Sequence, residues 1–159
     1  MATKLNGTKL ELLINNAGIL GSMGLESLDY DSIRQQFEIN TLGPLRVSEN
    51  FLPHLSEGSK IAIITSRMGS IADGSGGQYG YRISKTGVNM VGSCLAHDLK
   101  EQGIAVALLH PGYVRTGMTG GNGLINADES AKGLLQRIDE LNIDNTGGFW
   151  HTDGTDLTW

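Results

Sequence analysis

Residues 78–85 read QYGYRISK, which places a tyrosine and a lysine four positions apart. If this stretch is helical, Tyr81 and Lys85 share a face, because positions four apart on a helix are neighbours. A lysine cation beside a phenol stabilises the phenolate and lowers a tyrosine pKa that starts near ~10. Such a phenol can exchange a proton near neutral pH. The pair alone is weak evidence, since an ordinary helix with a solvated lysine has the same spacing.

Strand and helix signals alternate along the chain and predict the elements that position this pair. Short apolar runs predict strands at 10–15, 60–66 and 104–110, with a last short strand within 147–154. Helical patterns predict helices at 29–55, kinked at Gly43–Pro44, at 81–103, closed by Gly103, and at 126–141, capped by Asn126 or Asp128. In the first of these helices Ile33, Phe37 and Leu45 form one apolar stripe.

This alternation predicts an α/β fold, because strands separated by helices form right-handed βαβ units with a parallel sheet. We expect a single domain over residues 1–159, built as a partial Rossmann (doubly wound) sheet of about four strands. Ligands of such sheets bind at the carboxyl ends of the strands. The stretches NNAGILGSMG, SRMGS and PGYVRTGM follow the first three predicted strands and are small, polar or Gly-rich. Because all three strand ends are followed by small, polar or Gly-rich residues, we predict a ligand-binding cleft at this edge of the sheet.

Composition excludes several classes of function. The net charge of −5 and the lack of a basic patch argue against nucleic acid as a partner. No apolar run approaches the ~18 residues of a membrane span, and the start lacks the apolar core of a signal peptide. Four histidines without metal-ligand spacing predict no metal site. The single Cys94 fits a reducing, cytoplasmic compartment, and we expect it in the core. We expect Met68 and Met90 in the core or lining a pocket.

The motifs NNAG at 15–18, Asn40, Ser66, YRISK at 81–85 and PGYVRT at 111–116 occur in one order. Each alone has an ordinary interpretation: a tight turn for NNAG, a surface helix residue for Asn40, a strand terminator for Ser66. Together they resemble the short-chain dehydrogenase/reductase family. Within that family, the chain is similar to the C-factor and sniffer-like carbonyl reductase branch in three stretches, YRISKTGVNM, LHPGYVRT and GGFWHTDGTDLTW. The resemblance covers essentially the whole chain.

The resemblance implies an oxidoreductase that uses NAD or NADP to reduce a carbonyl or oxidise an alcohol of a small molecule. In that family Tyr81 would exchange the proton, Ser66 would hydrogen-bond the reacting oxygen, and Lys85 would lower the Tyr81 pKa and hold the nicotinamide ribose. Asn40 would hold a water that links Lys85 to solvent. The implied cofactor-binding residues are Asn16, Ala17, Gly18, Tyr81, Lys85, Pro111, Gly112, Val114 and Thr116.

One part of the family pattern is missing. Family members begin with a strand, a TGxxxGxG turn and a helix, whereas the first strand predicted here matches their fourth, so roughly one mononucleotide-binding half is absent. The run TGMTGGNG at 116–123 has the spacing, but it lies inside a loop, so we reject it as a phosphate-binding turn. We therefore expect weak dinucleotide binding. The alternative is a truncated, inactive fragment that acts, if at all, as an interaction module.

The predicted first strand also bears on assembly. Without its family partner it becomes an edge strand, protected only by Glu11 among Leu10, Leu12, Leu13 and Ile14. The predicted helices at 29–55 and 81–103 form a dimer contact in the resembling family. Both features predict a homo-oligomer, or aggregation, rather than a stable monomer.

Overall fold

The computed structural model describes residues 7–159, which form one parallel sheet of four strands with flanking helices. The strands are β1 (Leu12–Asn15), β2 (Lys60–Ile64), β3 (Ala105–His110) and β4 (Phe149–His151), and they lie side by side in this order. Every neighbouring pair is parallel. The predicted partial Rossmann sheet is therefore confirmed.

The helices are α1 (Tyr30–Phe37), α2 (Gly43–Phe51), α3 (Tyr79–Leu99) and α4 (Ala127–Glu140). A π-helical segment, Glu38–Leu42, joins α1 to α2, so the irregularity of the predicted long helix precedes Gly43 rather than coinciding with Gly43–Pro44. The predicted helix ends are confirmed at two places. Gly103 closes the turn after α3 at a φ of +70°, and Asn126 forms a capping box with Glu129.

The core lies on both faces of β2 and β3, which explains why their sequences are continuously apolar. One face packs beneath α3 through Ile61, Ile63 and Val106. The other packs against α4 through Ala62, Ala107 and Leu109. At Gly92 a Cβ would lie 2.6 Å from Leu108 Cδ2, so glycine lets α3 approach the sheet closely. Packing on both faces therefore fixes the positions of the carboxyl ends of β2 and β3.

The apolar stripe predicted for the first long helix does not lie on the buried face of this helical region. Phe37 and Leu45 are exposed, and the buried positions of this helical region are Gln36, Asn40, Thr41, Pro44 and Ser48. The reason is a close approach of this region to α3, where a Cβ on Gly87 would meet Thr41 Cγ2 at 2.9 Å. Small polar side chains fit there and bond to backbone groups, as Thr41 Oγ1 does with the Ser84 carbonyl at 2.7 Å.

The expected burial of Cys94 and Met90 is wrong, since both side chains are exposed on α3. The side of α3 that faces the sheet carries Val88, Leu95 and Leu99 instead. Met68, by contrast, is half-buried. The composition of α3 alone does not decide which of its apolar residues reach the core, because they occur on more than one side of the helix.

The strand β1 lies at the edge of the sheet, as predicted, and pairs with β2 alone among the described residues. Its Ile14 is 44% exposed.

Within residues 7–159 no helix is both long and apolar enough to cross a membrane. The same part of the chain contains no group of three His, Cys, Asp or Glu side chains placed to hold a metal ion.

Candidate active site

Four polar side chains are buried at the carboxyl edge of the sheet or on the helices beside it. Ser66 follows β2, Asn40 lies in the π-helical segment, and Tyr81 and Lys85 lie in the first turns of α3. Polar groups this deeply buried need partners, and an arrangement of several at one strand edge is a candidate site for chemistry.

Lys85 is held directly above the end of β2. Its Nζ donates a hydrogen bond to the Ile64 carbonyl at 2.9 Å and lies 5.7 Å from the centre of the Tyr81 ring. The predicted sharing of one helix face by Tyr81 and Lys85 is thus confirmed. Burial lowers the pKa of Lys85 from 10.5 to about 8, so this amine changes its charge close to neutral pH.

Burial raises the pKa of Tyr81, and the nearby Ser66 hydroxyl opposes that shift. Loss of hydration at the buried phenol has the largest effect, so the net shift is upward, and Lys85 is not among its causes; the lowering of this pKa by Lys85 stays a prediction. The phenol is therefore protonated at neutral pH. A protonated phenol is the form that donates a proton to a carbonyl oxygen.

Ser66 is fixed in place by the backbone that follows it. It is the N-cap of the short turn Arg67–Gly69, and its Oγ accepts a hydrogen bond from the Met68 amide at 3.1 Å. This bond uses an acceptor position of the hydroxyl and leaves its proton available to donate. Ser66 and Tyr81 can thus present two donors to one oxygen atom.

Asn40 binds backbone atoms of the loop that follows β1. Its Oδ1 accepts from the Ile19 amide and its Nδ2 donates to the Ile19 carbonyl, both at 2.8 Å, and Nδ2 also lies 2.9 Å from Ser84 Oγ. One turn earlier, Gln36 Oε1 accepts from the Gly21 amide at 2.9 Å. Two amide side chains therefore hold this loop against α1 and the π-helical segment. Sequence reasoning missed Gln36, although its spacing of four from Asn40 could have indicated it.

The loop after β1 passes close to Lys85 at Gly18. A Cβ on Gly18 would lie 3.3 Å from Asn40 Oδ1 and 3.5 Å from Lys85 Nζ, so glycine keeps the space beside the lysine open. The preceding Asn16 and Ala17 are exposed at the same edge. Lys85 has three N–H donors and uses one on the Ile64 carbonyl. The remaining donors and the open space fit the hydroxyls of a nicotinamide ribose.

The loop that follows β3 begins with a turn that needs glycine, because Gly112 has a φ of +86°. Ser130 Oγ, on α4, donates to the Pro111 carbonyl at 2.7 Å. Val114 is buried and pairs with Ile125 across the loop. Ser130 is a second residue that sequence reasoning missed, since nothing in the sequence near it indicates this distant partner.

The stretch TGMTGGNG does not have the surroundings of a phosphate-binding turn. β3 ends at His110, six residues earlier, and Thr116 caps only a three-residue turn, Gly117–Thr119. No long helix begins there to aim backbone amides at a pyrophosphate. The rejection of this match is consistent with the structure.

The chain matches the family model described as short chain dehydrogenase over residues 2–124. It belongs to the short-chain dehydrogenase family. One relative, 1-hydroxy-2-glutathionyl-2-methyl-3-butene dehydrogenase of Rhodococcus sp. (strain AD45), is 49% identical over 158 residues, covering 96% of this chain and 70% of the relative. Another, C-signal of Myxococcus xanthus, is 41% identical over 162 residues, covering 99% of this chain and 98% of the relative.

Solved structures of short-chain dehydrogenases agree. Carbonyl reductase Sniffer of D. melanogaster has a TM-score of 0.92 at 30% identity, with 99% of this chain and 69% of that chain covered. The NADPH-bound carbonyl reductase from chicken fatty liver has a TM-score of 0.89 at 33% identity, with the same two coverages. These matches confirm the predicted C-factor and sniffer-like relationship and the functional class, an oxidoreductase of this family.

Proposed function

We propose that this protein transfers a hydride between NAD(P) and a small carbonyl or alcohol compound, with Tyr81 as the proton-exchanging group. The observation that carries the proposal is the burial of the Tyr81 phenol near the Ser66 hydroxyl, with Lys85 Nζ 5.7 Å from the centre of its ring. The test is the consumption of NADH or NADPH by the purified protein in the presence of simple aldehydes and ketones. Each cofactor is supplied well above ~1 mM, because weak binding is expected, and the absence of consumption with both cofactors at that concentration contradicts the proposal.

Each residue of the site has a role in this mechanism. Ser66 and Tyr81 bind the carbonyl oxygen, and Tyr81 gives it a proton as negative charge develops there. When bound, NAD(P) supplies the hydride, and Lys85 and the Pro111–Thr116 loop would hold its nicotinamide half. Lys85, with a pKa of about 8 and its Nζ 5.7 Å from the centre of the Tyr81 ring, is suited to return a proton to Tyr81. Asn40 positions the loop that carries Gly18.

The alternative of an inactive interaction module receives no support from the site. The four polar residues are all present and buried together, and the matched proteins include dehydrogenases and reductases. The chicken reductase is NADPH-bound, which supports a nicotinamide cofactor for this chain without deciding between NAD and NADP.

We further propose a cytoplasmic location, supported by the presence of only one cysteine.

We predict that the 159-residue chain binds NADPH or NADH only weakly, with a dissociation constant of ~1 mM or above. The binding free energy is then about −4 kcal/mol or less negative than that. Within residues 7–159 no strand is followed by a Gly-rich turn that opens a helix, so the pyrophosphate lacks an amide cradle. Isothermal titration calorimetry measures this affinity. Micromolar binding would show that 116–123 or another segment holds the phosphates. If binding is micromolar, the variant Gly120→Ala tests this segment: a loss of affinity would show that residues 116–123 hold the phosphates.

We propose that the chain self-associates. Large apolar side chains are exposed on the outer faces of α1, α2 and α3 at Phe37, Leu45 and Met90, and Ile14 is exposed on the edge strand. We predict a dimer or larger species by light scattering at micromolar concentration. Met90→Glu is expected to weaken helix-mediated association because it buries a charge in the contact. Its control, Leu135→Glu on α4, leaves association unchanged. A monodisperse wild-type monomer contradicts the prediction.

A further inference from the structure

Asn89 continues the row of Tyr81 and Lys85 along α3, and the proposed mechanism does not use it. Positions four apart share a helix face, so the side chains of residues 81, 85 and 89 lie on one side of α3. Asn89 is only 3% exposed, and its Oδ1 accepts a hydrogen bond from Thr65 Oγ1 at 2.6 Å. Thr65 immediately precedes Ser66. The face of α3 that carries Tyr81 is therefore hydrogen-bonded to the chain directly beside Ser66.

The chain that follows Ser66 is also fixed to α3. Thr86 Oγ1 donates to the carbonyl of Gly69, the last residue of the short turn after Ser66, at 2.9 Å. A Cβ on Gly69 would lie 2.7 Å from backbone atoms of Lys85, so this turn and the helix are in direct contact. Ser66 thus lies between two contacts with the helix that carries the phenol, one through Thr65 and one through Gly69.

Stability alone does not explain the pair of Thr65 and Asn89. Thr65 is 2% exposed, so both side chains are in the interior. No hydrogen-bond partner is found for Asn89 Nδ2 within the described residues. A buried donor without a partner costs free energy, and two apolar side chains of the same shape would avoid that cost. An incompletely bonded polar pair next to a proposed reacting group therefore indicates a role in function.

Resting on the proposed function, we infer that Thr65 and Asn89 are positioning residues whose hydrogen bond fixes Ser66 relative to Tyr81. They act through the Ser66 hydroxyl, which lies close enough to Tyr81 to affect its pKa. Two donors that bind one substrate oxygen need a fixed separation. A misplacement of about 1 Å can cost up to ~10²-fold in rate, so loss of the bond slows the reaction although every reacting group is still present.

The experiment removes the bond with Thr65→Val, which keeps the shape of the side chain and deletes its hydroxyl. We expect kcat for carbonyl reduction to fall by ~10–100-fold. KM for NADPH stays unchanged, because Ser66 is placed on the carbonyl oxygen and not on the cofactor. Thr65→Ser keeps the hydroxyl and is expected to keep most of the activity. In the matched control, Thr146→Val, a hydrogen bond from the Val106 amide is lost at the amino end of β3, and kcat is unchanged.

Variants of Ser66 and Asn89 separate positioning from a general structural role. In a Ser66→Ala background, Thr65→Val is expected to cause no further loss of kcat, because the hydroxyl that it positions is absent. The double variant Thr65→Val/Asn89→Leu replaces both partners by apolar groups, so its melting temperature is expected to match or exceed that of the wild type while kcat stays low. Further loss in the Ser66→Ala background, or wild-type kcat in either Thr65→Val or the double variant, overturns the inference.

A spectroscopic measurement separates this inference from the proposed function. NMR of protein with tyrosine isotope-labelled at Cζ reports hydrogen bonding at the phenol oxygen, and Tyr81→Phe identifies the Tyr81 signal. Thr65→Val is expected to move this signal in the same direction as Ser66→Ala, whereas Thr146→Val leaves it in place. That result without turnover of any carbonyl or alcohol supports the positioning of Ser66 by Thr65 and Asn89 and overturns the proposed function. An unmoved Tyr81 signal in Thr65→Val overturns the inference, whether or not the protein turns over a carbonyl compound.

Discussion

Replacing Tyr81 with phenylalanine is expected to lower kcat/KM for carbonyl reduction by ~10²–10⁴-fold, the usual contribution of a general acid. The substitution removes only the phenol oxygen, and the buried ring, whose centre lies 5.7 Å from Lys85 Nζ, keeps its packing. Ser66 keeps its hydrogen bond from the Met68 amide, so the other donor stays in position. The loss therefore reports the proton transfer. Steady-state kinetics with NADH and NADPH measure it, with circular dichroism to verify the fold.

Tyr79→Phe provides a matched control for this substitution. Tyr79 is on the same first turn of α3 and is half-buried, but no hydrogen bond or lysine contact of its phenol is found within residues 7–159. Its turnover is expected to match that of the wild type. Wild-type turnover in Tyr81→Phe, or equal losses in both variants, contradicts the role given to Tyr81.

The features of the site that could be predicted are those set by local periodicity. The spacing of Tyr81 and Lys85 is enough to bring them together, because a helix fixes the relative positions of residues four apart. The carboxyl ends of β2 and β3 could be located from their apolar runs, since strands buried on both faces have no alternation to obscure them. Ser66 and the Pro111–Thr116 loop then follow from the topology of a parallel sheet.

The features that could not be predicted depend on distant contacts. The Tyr81 pKa is set by burial against elements far away in sequence, so its direction could not be deduced from the neighbouring lysine. The partner of Asn40 is Ile19, 21 residues away, and that of Ser130 is Pro111, 19 residues away. A pattern within one helix carries no information on which backbone group approaches it. The same limit explains why the apolar stripe of Phe37 and Leu45 does not identify the buried face of this helical region.

Lowering the pH from about 6.5 to about 3 is expected to destabilise the protein through His110. This residue, the last of β3, is buried, and its ring lies edge-on to that of His151 at 5.0 Å. Burial, followed by the charges of His151 and Arg67, lowers the pKa of His110 from 6.5 to about 3, and the opposing effects of Asp153 and Asp73 are smaller. No hydrogen-bond partner is found for its Nδ1 within the described residues. The folded state therefore keeps this imidazole neutral.

The sign follows from proton binding. Between pH 6.5 and 3 the unfolded chain has His110 protonated while the folded chain does not, so the unfolded state binds more protons and the free energy of unfolding falls as the pH falls. Each pH unit in this window costs up to about 1.4 kcal/mol, or about 3 kcal/mol between pH 6.5 and 4. That is a large part of the ~5–15 kcal/mol that keeps a domain folded.

The measurement is urea unfolding of the wild type and His110→Gln at pH 7 and pH 4. Carboxylates lose their native interactions in both proteins, so the difference between the two pH-dependent losses isolates His110. We expect the wild type to lose about 3 kcal/mol more than His110→Gln over this interval. His97→Gln, an exposed histidine of α3, is expected to behave like the wild type. Equal losses in the wild type and His110→Gln would mean that the folded state accommodates a protonated His110, through Asp73 or Asp153, at little cost.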